Sequence, residues 1–286
     1  AYRRQRQMCI RDRFTGDLVA HDDLYRYSRD YVLYAEQAQF DIMKSFLGDT
    51  PVLVTLGNHD TSPENTMTIP GLPNGQSHTY DWDLDYVAKL WQHKGWIDAK
   101  NAGRVREHYG SFSMSPRKGL RVISLNTDYW YYVNFYNYIH MDYPDNSGML
   151  RFLTDELFAA EEAGERVWIM GHVLTGWNGG EALDRPSNLF YQIVSRFAPT
   201  TIAHIFFGHT HEDQLQVFYE NDNGVSASAK QHTQHAVTNA YIAPSITPYI
   251  NLNPTFRVYK FHPETFDTMD YDQYYTPISE FEKLKD

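Results

Sequence analysis

The sequence predicts a single α/β domain whose strands deliver polar loops to one rim, and three observations lead there. Apolar, β-prone runs alternate with segments of helical period along most of the chain. Four short cassettes, Thr15-Gly16-Asp17, Gly57-Asn58-His59-Asp60, Met170-Gly171-His172 and Gly208-His209-Thr210-His211, each follow such a run and each contain a glycine that permits a sharp turn. With 286 residues, including 22 Tyr and 16 Phe, the chain can bury a large core.

The elements follow in order. Residues 1–13 are strongly basic in an acidic protein and lack strand or helix period, so they are expected to be a non-native or unstructured leader, with the domain spanning 14–286. Apolar residues at Tyr27, Tyr31, Tyr34, Ala35, Ala38, Ile42 and Phe46 predict a helix over Leu24–Leu47, stopped at Gly48. Val52–Leu56 reads as a buried strand, and the Pro/Gly/Asn-rich stretch from Ser62 to Gly75 as loop. A helix is expected over Asp83–Lys94, and a pair of strands over Tyr109–Met114 and Leu120–Leu125. An aromatic segment without clean period, Tyr129–Tyr143, precedes a helix over Gly148–Ala163. Strands at Val167–Met170 and Ile202–Phe207 flank a helix at Leu189–Phe197; further strands are expected near Gln214–Tyr219, Ala240–Ala243 and Phe256–Phe261.

Composition narrows the function. A formal charge of −11 argues against a nucleic-acid polymer as partner, because phosphate backbones call for Lys/Arg patches. It leaves small phosphate substrates open, since metals can supply local positive charge. No apolar run approaches the ~20 residues of a membrane span. No apolar stretch of signal-peptide type follows the basic N-terminus. The one cysteine, Cys9, rules out a disulfide framework within the chain.

The cassettes carry the chemistry. Asp17 is a carboxylate able to bridge two cations, Asn58 offers a neutral amide oxygen, and His172, His209 and His211 offer imidazoles. Carboxylate and imidazole together suit Zn, Mn or Fe better than Ca or Mg. Two such ions lower the pKa of a shared water, hold phosphate oxygens and neutralise charge in an in-line displacement. His59 stands beside a ligand and is a candidate proton donor to the leaving oxygen, with Asp60 placed to fix its tautomer; His21, four residues past Asp17, could share that task. Taken singly, each histidine is better read as structural, and His78, His93, His108, His140, His204, His232, His235 and His262 are left so. Four cassettes in this order are not a chance arrangement.

The cassettes resemble those of the calcineurin-like metallophosphoesterases, and in particular of acid sphingomyelinase and its relatives. Gly16-Asp17-Leu18-Val19-Ala20-His21-Asp22, Phe206-Phe207-Gly208-His209-Thr210-His211-Glu212-Asp213 and Ala243-Pro244-Ser245-Ile246-Thr247-Pro248-Tyr249 carry the likeness, with Leu125-Asn126-Thr127, Gly148-Met149-Leu150, Leu252-Asn253-Pro254 and Arg257-Val258-Tyr259. The resemblance implies a four-layer αββα sandwich and two zinc ions. Asp17 would bridge them, Asn58, His172 and His209 would complete one, and His211 would ligate the other. His59 and His21 would assist the leaving group. It also implies hydrolysis of sphingomyelin to ceramide and phosphocholine, and a secreted or lysosomal/vacuolar location.

Departures qualify this. The family opens with an Asp-x-His cassette, which occurs nowhere in this sequence. The first strand is therefore expected to be missing and the chain to be a weak or inactive fragment. No saposin-like segment is present, so relatives that cleave nucleotides or other soluble phosphodiesters are an alternative, as is a non-catalytic binding protein short of first-metal ligands. Tyr129–Tyr136 could dock on a lipid surface or stack on a choline cation, or could simply pack against the core.

Overall fold

The computed structural model describes residues 12–176, 181–220 and 233–283. Residues 1–11 of the expected leader, Cys9 among them, lie outside the described residues, as does His232. Asp12 and Arg13 do not belong to a leader. Strand β1 (Asp12–Phe14) pairs in parallel with β2 (Val52–Val54), Arg13 opposite Leu53.

A six-stranded sheet forms the centre, in the order β3 (Phe112–Arg117), β4 (Leu120–Ser124), β5 (Arg166–Met170), β6 (Ile202–Phe207), β8 (Ala236–Ile242) and β7 (Gln214–Tyr219). Strands β4, β5, β6 and β8 run parallel, and the edge strands β3 and β7 run antiparallel to their neighbours. Strand period sorts the side chains of β5 into two apolar layers. Val167 and Ile169 join Leu153 and Leu157 of α4 (Met149–Ala163) and Phe190 of α5 (Asp184–Phe197). Trp168 and Met170 face the other way, toward Leu53, Phe206 and Phe266. On that side lies the hairpin of β9 (Thr255–Phe261) and β10 (Thr268–Tyr275), with the Phe261 ring 4.2 Å from that of Trp168.

Strand β2 alternates too: Leu53 faces the six-stranded sheet, whereas Val52 and Val54 join Phe40 of α1 (Arg29–Leu47) and Leu84, Val87 and Trp91 of α2 (Asp81–His93). The layers are therefore helix, sheet, sheet, helix. The Arg13 guanidinium sits between the sheets, 4.3 Å from the Phe206 ring and 4.6 Å from that of Trp168. Burial among these rings lowers its pKa to about 10, and the ring faces offer the cation an attractive surface in place of water.

Strand β3 lies three residues later than expected and helix α5 begins five residues earlier; three further differences have a clear cause. Helix α1 begins at Arg29 because Ser28 caps it, its side chain accepting from the Tyr31 N–H; Leu24–Arg26 is a separate 3-10 turn. Helix α3 (Ala99–Glu107) was not expected, since only Ala102 and Val105 are buried, too few to set a period. Its sequence signal was Asp98, which caps it by accepting from the Asn101 N–H at 2.8 Å. Strand β10, also unexpected, is largely exposed and owes its form to pairing with β9.

His204 illustrates a structural histidine with a measurable consequence. It is buried on β6, its Nε2 accepting from the Thr268 N–H at 2.7 Å and its Nδ1 donating to Asn239 Oδ1 at 3.1 Å. Burial lowers its pKa to about 4. The unfolded chain, with a pKa of about 6.5, takes up a proton that the folded chain refuses between those values. Stability from this group is complete above pH ~6.5 and is lost as pH falls toward 4. Urea unfolding at pH 7 and 4.5 is expected to show the gap between wild type and His204→Gln shrinking by about 2 kcal/mol at the lower pH. A gap independent of pH would refute the assignment.

Candidate metal centre

The parallel strands end at one rim, and each expected ligand follows a strand end: Asp17 after β1, Asn58 after β2, His172 after β5, His209 and His211 after β6. Side-chain hydrogen bonds join the two sheets there. Ser124 Oγ donates to the Val54 carbonyl at 2.8 Å and Thr55 Oγ1 to the Leu125 carbonyl at 2.7 Å.

The turns are tight. A Cβ on Gly57 would collide with the Asp17 carboxylate, and one on Gly16 would lie 2.7 Å from both Gly57 N and His172 Nδ1. Asp17, His209 and His211 all adopt positive φ, at 60°, 74° and 63°. Such backbone costs of order 1–3 kcal/mol per residue and persists where the surroundings enforce it.

At Asp17 the enforcer is Asp60, and this corrects the expectation for it. Its buried carboxylate accepts from the N–H groups of Asp17 (2.9 Å), Leu18 (2.6 Å), Val19 (3.2 Å) and Gly57 (2.8 Å). It ties the first cassette to the second and does not orient His59. Burial, and then the charge of Asp17, push its pKa up to about 7 despite these four donors. His59 is oriented by two residues that sequence reasoning missed. Tyr27 donates its hydroxyl proton to the Ala20 carbonyl at 2.5 Å, so its oxygen accepts from His59 Nδ1 at 2.7 Å. Glu64 Oε1 lies 3.5 Å from Nε2 on the other side of the ring. Burial lowers the His59 pKa to about 4.

Two donor sets share Asp17. One comprises Asp17, His172 and His209; the other Asp17, His21 and His211; within each set the ligating atoms lie within 4.8 Å of one another. Asn58 joins the first set, its Oδ1 facing His172 Nε2 at 3.0 Å and His209 Nδ1 at 2.9 Å. Asn65 Oδ1 accepts from the Asn58 amide at 2.7 Å and so turns the oxygen inward. His21, expected only as a helper of the leaving group, stands with its Nε2 3.7 Å from Asp17 Oδ2. Its ring lies 4.7 Å from His211 and 3.8 Å from His59, between the second donor set and the expected proton donor.

The first set fits a cation. His172 Nδ1 is 2.5 Å from the Thr15 carbonyl and must carry a proton. Nε2 then faces Asn58 Oδ1, Asp17 Oδ2 at 3.1 Å and His209 Nδ1 at 3.3 Å, all electron-rich atoms. Asp17 Oδ2 is buried and makes no well-aligned hydrogen bond. Four lone-pair atoms converging on one buried point repel one another unless a positive charge joins them. In the protein alone a proton does so. Burial opposes it, but the Asp17 carboxylate outweighs burial and raises the His172 pKa to about 9. Burial likewise opposes charge on Asp17, and His172 overcomes it, holding that carboxyl well below the usual range. A divalent ion would displace the proton.

Asn58, His209 and His211 line a cleft of about 260 Å³, together with His21, His59, Glu64, Tyr131 and Tyr249 among others. The aromatic segment divides. Tyr129, Trp130 and Tyr131 are buried, Trp130 donating its indole N–H to the Val173 carbonyl at 3.0 Å, whereas Phe135, Tyr138 and Tyr143 are exposed. No helix among the described residues is long and apolar enough to cross a membrane.

Residues 12–213 match the family model described as calcineurin-like phosphoesterase. A sphingomyelin phosphodiesterase of Bos taurus is 36% identical over 86% of this chain and 36% of its own length. A cyclic GMP-AMP phosphodiesterase of Homo sapiens is 25% identical, covering 93% of this chain and 56% of that protein. The chain thus spans little more than a third of the bovine relative. Among solved structures, that of PhoD superposes with a TM-score of 0.54 at 12% identity, over 86% of this chain and 53% of that one, a likeness of fold alone.

Proposed function

The chain belongs to the calcineurin-like phosphoesterase family, and from that premise we propose that it acts as a metal-dependent phosphodiester hydrolase of the sphingomyelinase type. The observation that carries this reading is the pair of donor sets meeting at Asp17 beneath a cleft lined by His59. Asp17, Asn58, His172 and His209 would hold one divalent ion, and Asp17, His211 and His21 the other. Zinc is the favoured ion, with manganese or iron able to use the same ligands. When bound, the metals supply charge that polarises the phosphoryl group and acidifies water.

The chain's own residues do the rest. His59 presents Nε2 to the cleft, because Tyr27 engages Nδ1; the lone pair there takes up a proton released by the attacking water, and His59 would then hand one from Nε2 to the leaving oxygen. Tyr131 and Tyr249 wall the cleft on either side of the donor sets. The exposed Phe135, Tyr138 and Tyr143 continue the segment that supplies Tyr131 and are suited to contact a lipid surface. A secreted or lysosomal/vacuolar location forms part of the same proposal.

The cyclic GMP-AMP phosphodiesterase among the relatives favours a second reading, a soluble nucleotide substrate on the same site. The zinc-loaded protein, assayed on sphingomyelin vesicles and on nucleoside triphosphates and cyclic dinucleotides, is expected to release phosphocholine. Turnover of nucleotides alone would replace the first reading with the second. No turnover of any, with zinc bound, would favour a binding protein.

A further inference from the structure

We propose that Glu181 is a positioning residue of this centre, fixing the tautomer of His209 so that Nδ1 is the nitrogen offered to the metal. The proposal rests on the metal-centre reading and deepens it. Glu181 belongs to none of the cassettes and lies 28 residues before His209 in the chain.

The geometry is direct. His209 Nε2 lies 3.1 Å from Glu181 Oε2, while Nδ1 points to Asn58 Oδ1 and His172 Nε2. An ionised carboxylate only accepts hydrogen bonds, so Nε2 must carry the hydrogen. A neutral imidazole with its hydrogen on Nε2 keeps a lone pair on Nδ1. That is the lone pair the first donor set requires. The opposite tautomer would aim an N–H at the metal position and leave two lone pairs facing each other at Glu181.

Glu181 is held in place by its backbone. The Tyr132 N–H donates to the Glu181 carbonyl at 3.1 Å, Ala182 bridges to Tyr131, and the Leu183 N–H donates to the Trp130 carbonyl at 2.8 Å. The same segment sets the Tyr131 ring edge-on to His209, at 5.0 Å and 79°. His209 is thereby clamped between a carboxylate at one nitrogen and an aromatic ring at its side. This restraint matters at a residue whose backbone φ is +74°. A carboxylate behind a ligating histidine also makes the imidazole a stronger donor, and removing such a partner typically weakens metal binding 10–100-fold.

The test uses the whole chain and two readouts. In metal-free protein, histidine-ring 15N–1H NMR is expected to show His209 with its hydrogen on Nε2 in wild type, and a mixture or the other tautomer in Glu181→Ala. Zinc affinity, measured against a competing chelator, is expected to fall about 10–100-fold in Glu181→Ala and less than about tenfold in Glu181→Gln, whose amide oxygen can still accept from Nε2. An unchanged His209 tautomer in Glu181→Ala overturns the proposal whatever zinc does, as does unchanged zinc affinity in both variants. Failure of wild type to take up zinc would instead overturn the metal-centre reading, and the metal-free NMR comparison would still decide the role of Glu181.

Discussion

Asp17→Ala is expected to strip the protein of both metal ions at once. Asp17 is the one side chain common to the two donor sets, so its loss leaves His172, His209 and Asn58 on one side and only His21 and His211 on the other. It also removes the acceptor of the His59 N–H at 3.0 Å, which registers the second cassette against the first. Without the carboxylate, the proton on His172 loses the charge that keeps it there. The absent Asp-x-His cassette argues for a chain weak in its first metal, but His21 completes that donor set with Asp17 and His211, so metal analysis after gel filtration should find two ions per chain in wild type and fewer than one in the variant. Hydrolysis should fall at least about 10³-fold, corresponding to the several kcal/mol of charge stabilisation that bound metals supply. Asp17→Asn keeps an oxygen and the hydrogen bond from His59 N–H but not the charge, so it should fall between. Two ions retained in Asp17→Ala would remove the bridging role.

His59→Gln is expected to separate catalysis from metal binding. His59 stands outside both donor sets, held by Tyr27 and flanked by Glu64, so metal content should stay at the wild-type level. Loss of a positioned general acid commonly costs 10²–10⁴-fold. The cost depends on the leaving group. An alkoxide such as that of ceramide needs a proton as the P–O bond breaks, whereas nitrophenolate departs without one. The kcat for sphingomyelin should therefore drop by about 10²–10³, and that for a nitrophenyl phosphodiester by less than about tenfold. Equal losses on both substrates would make His59 a structural residue.

Much of this was readable along the chain because it depends on local rules. Strand period in β5 and β6, the apolar stripe of α4, and the Gly-containing turns at Gly16 and Gly57 are short-range properties, as is the choice of donor atoms at Asp17, Asn58, His172, His209 and His211. What escaped has a common cause. Helix α3 and strand β10 bury too little to set a period and are specified by a cap and by pairing with β9. Arg13 looks foreign in one dimension and becomes intelligible only among Trp168, Phe206, Tyr259 and Phe261, contributed by three strands far apart in sequence.

The sequence by itself determined which atoms could hold a cation and that strand ends would bring them to one rim. Only the tertiary structure decided how each is used. A histidine ligates through whichever nitrogen its other nitrogen leaves free, and that depends on partners met across 157 residues at Thr15 and His172, 28 at Glu181 and His209, and 32 at Tyr27 and His59. Asp60 likewise carries the same carboxylate in either reading. Four backbone N–H groups from two loops, brought together by packing, made it a clasp and left the orientation of His59 to Tyr27.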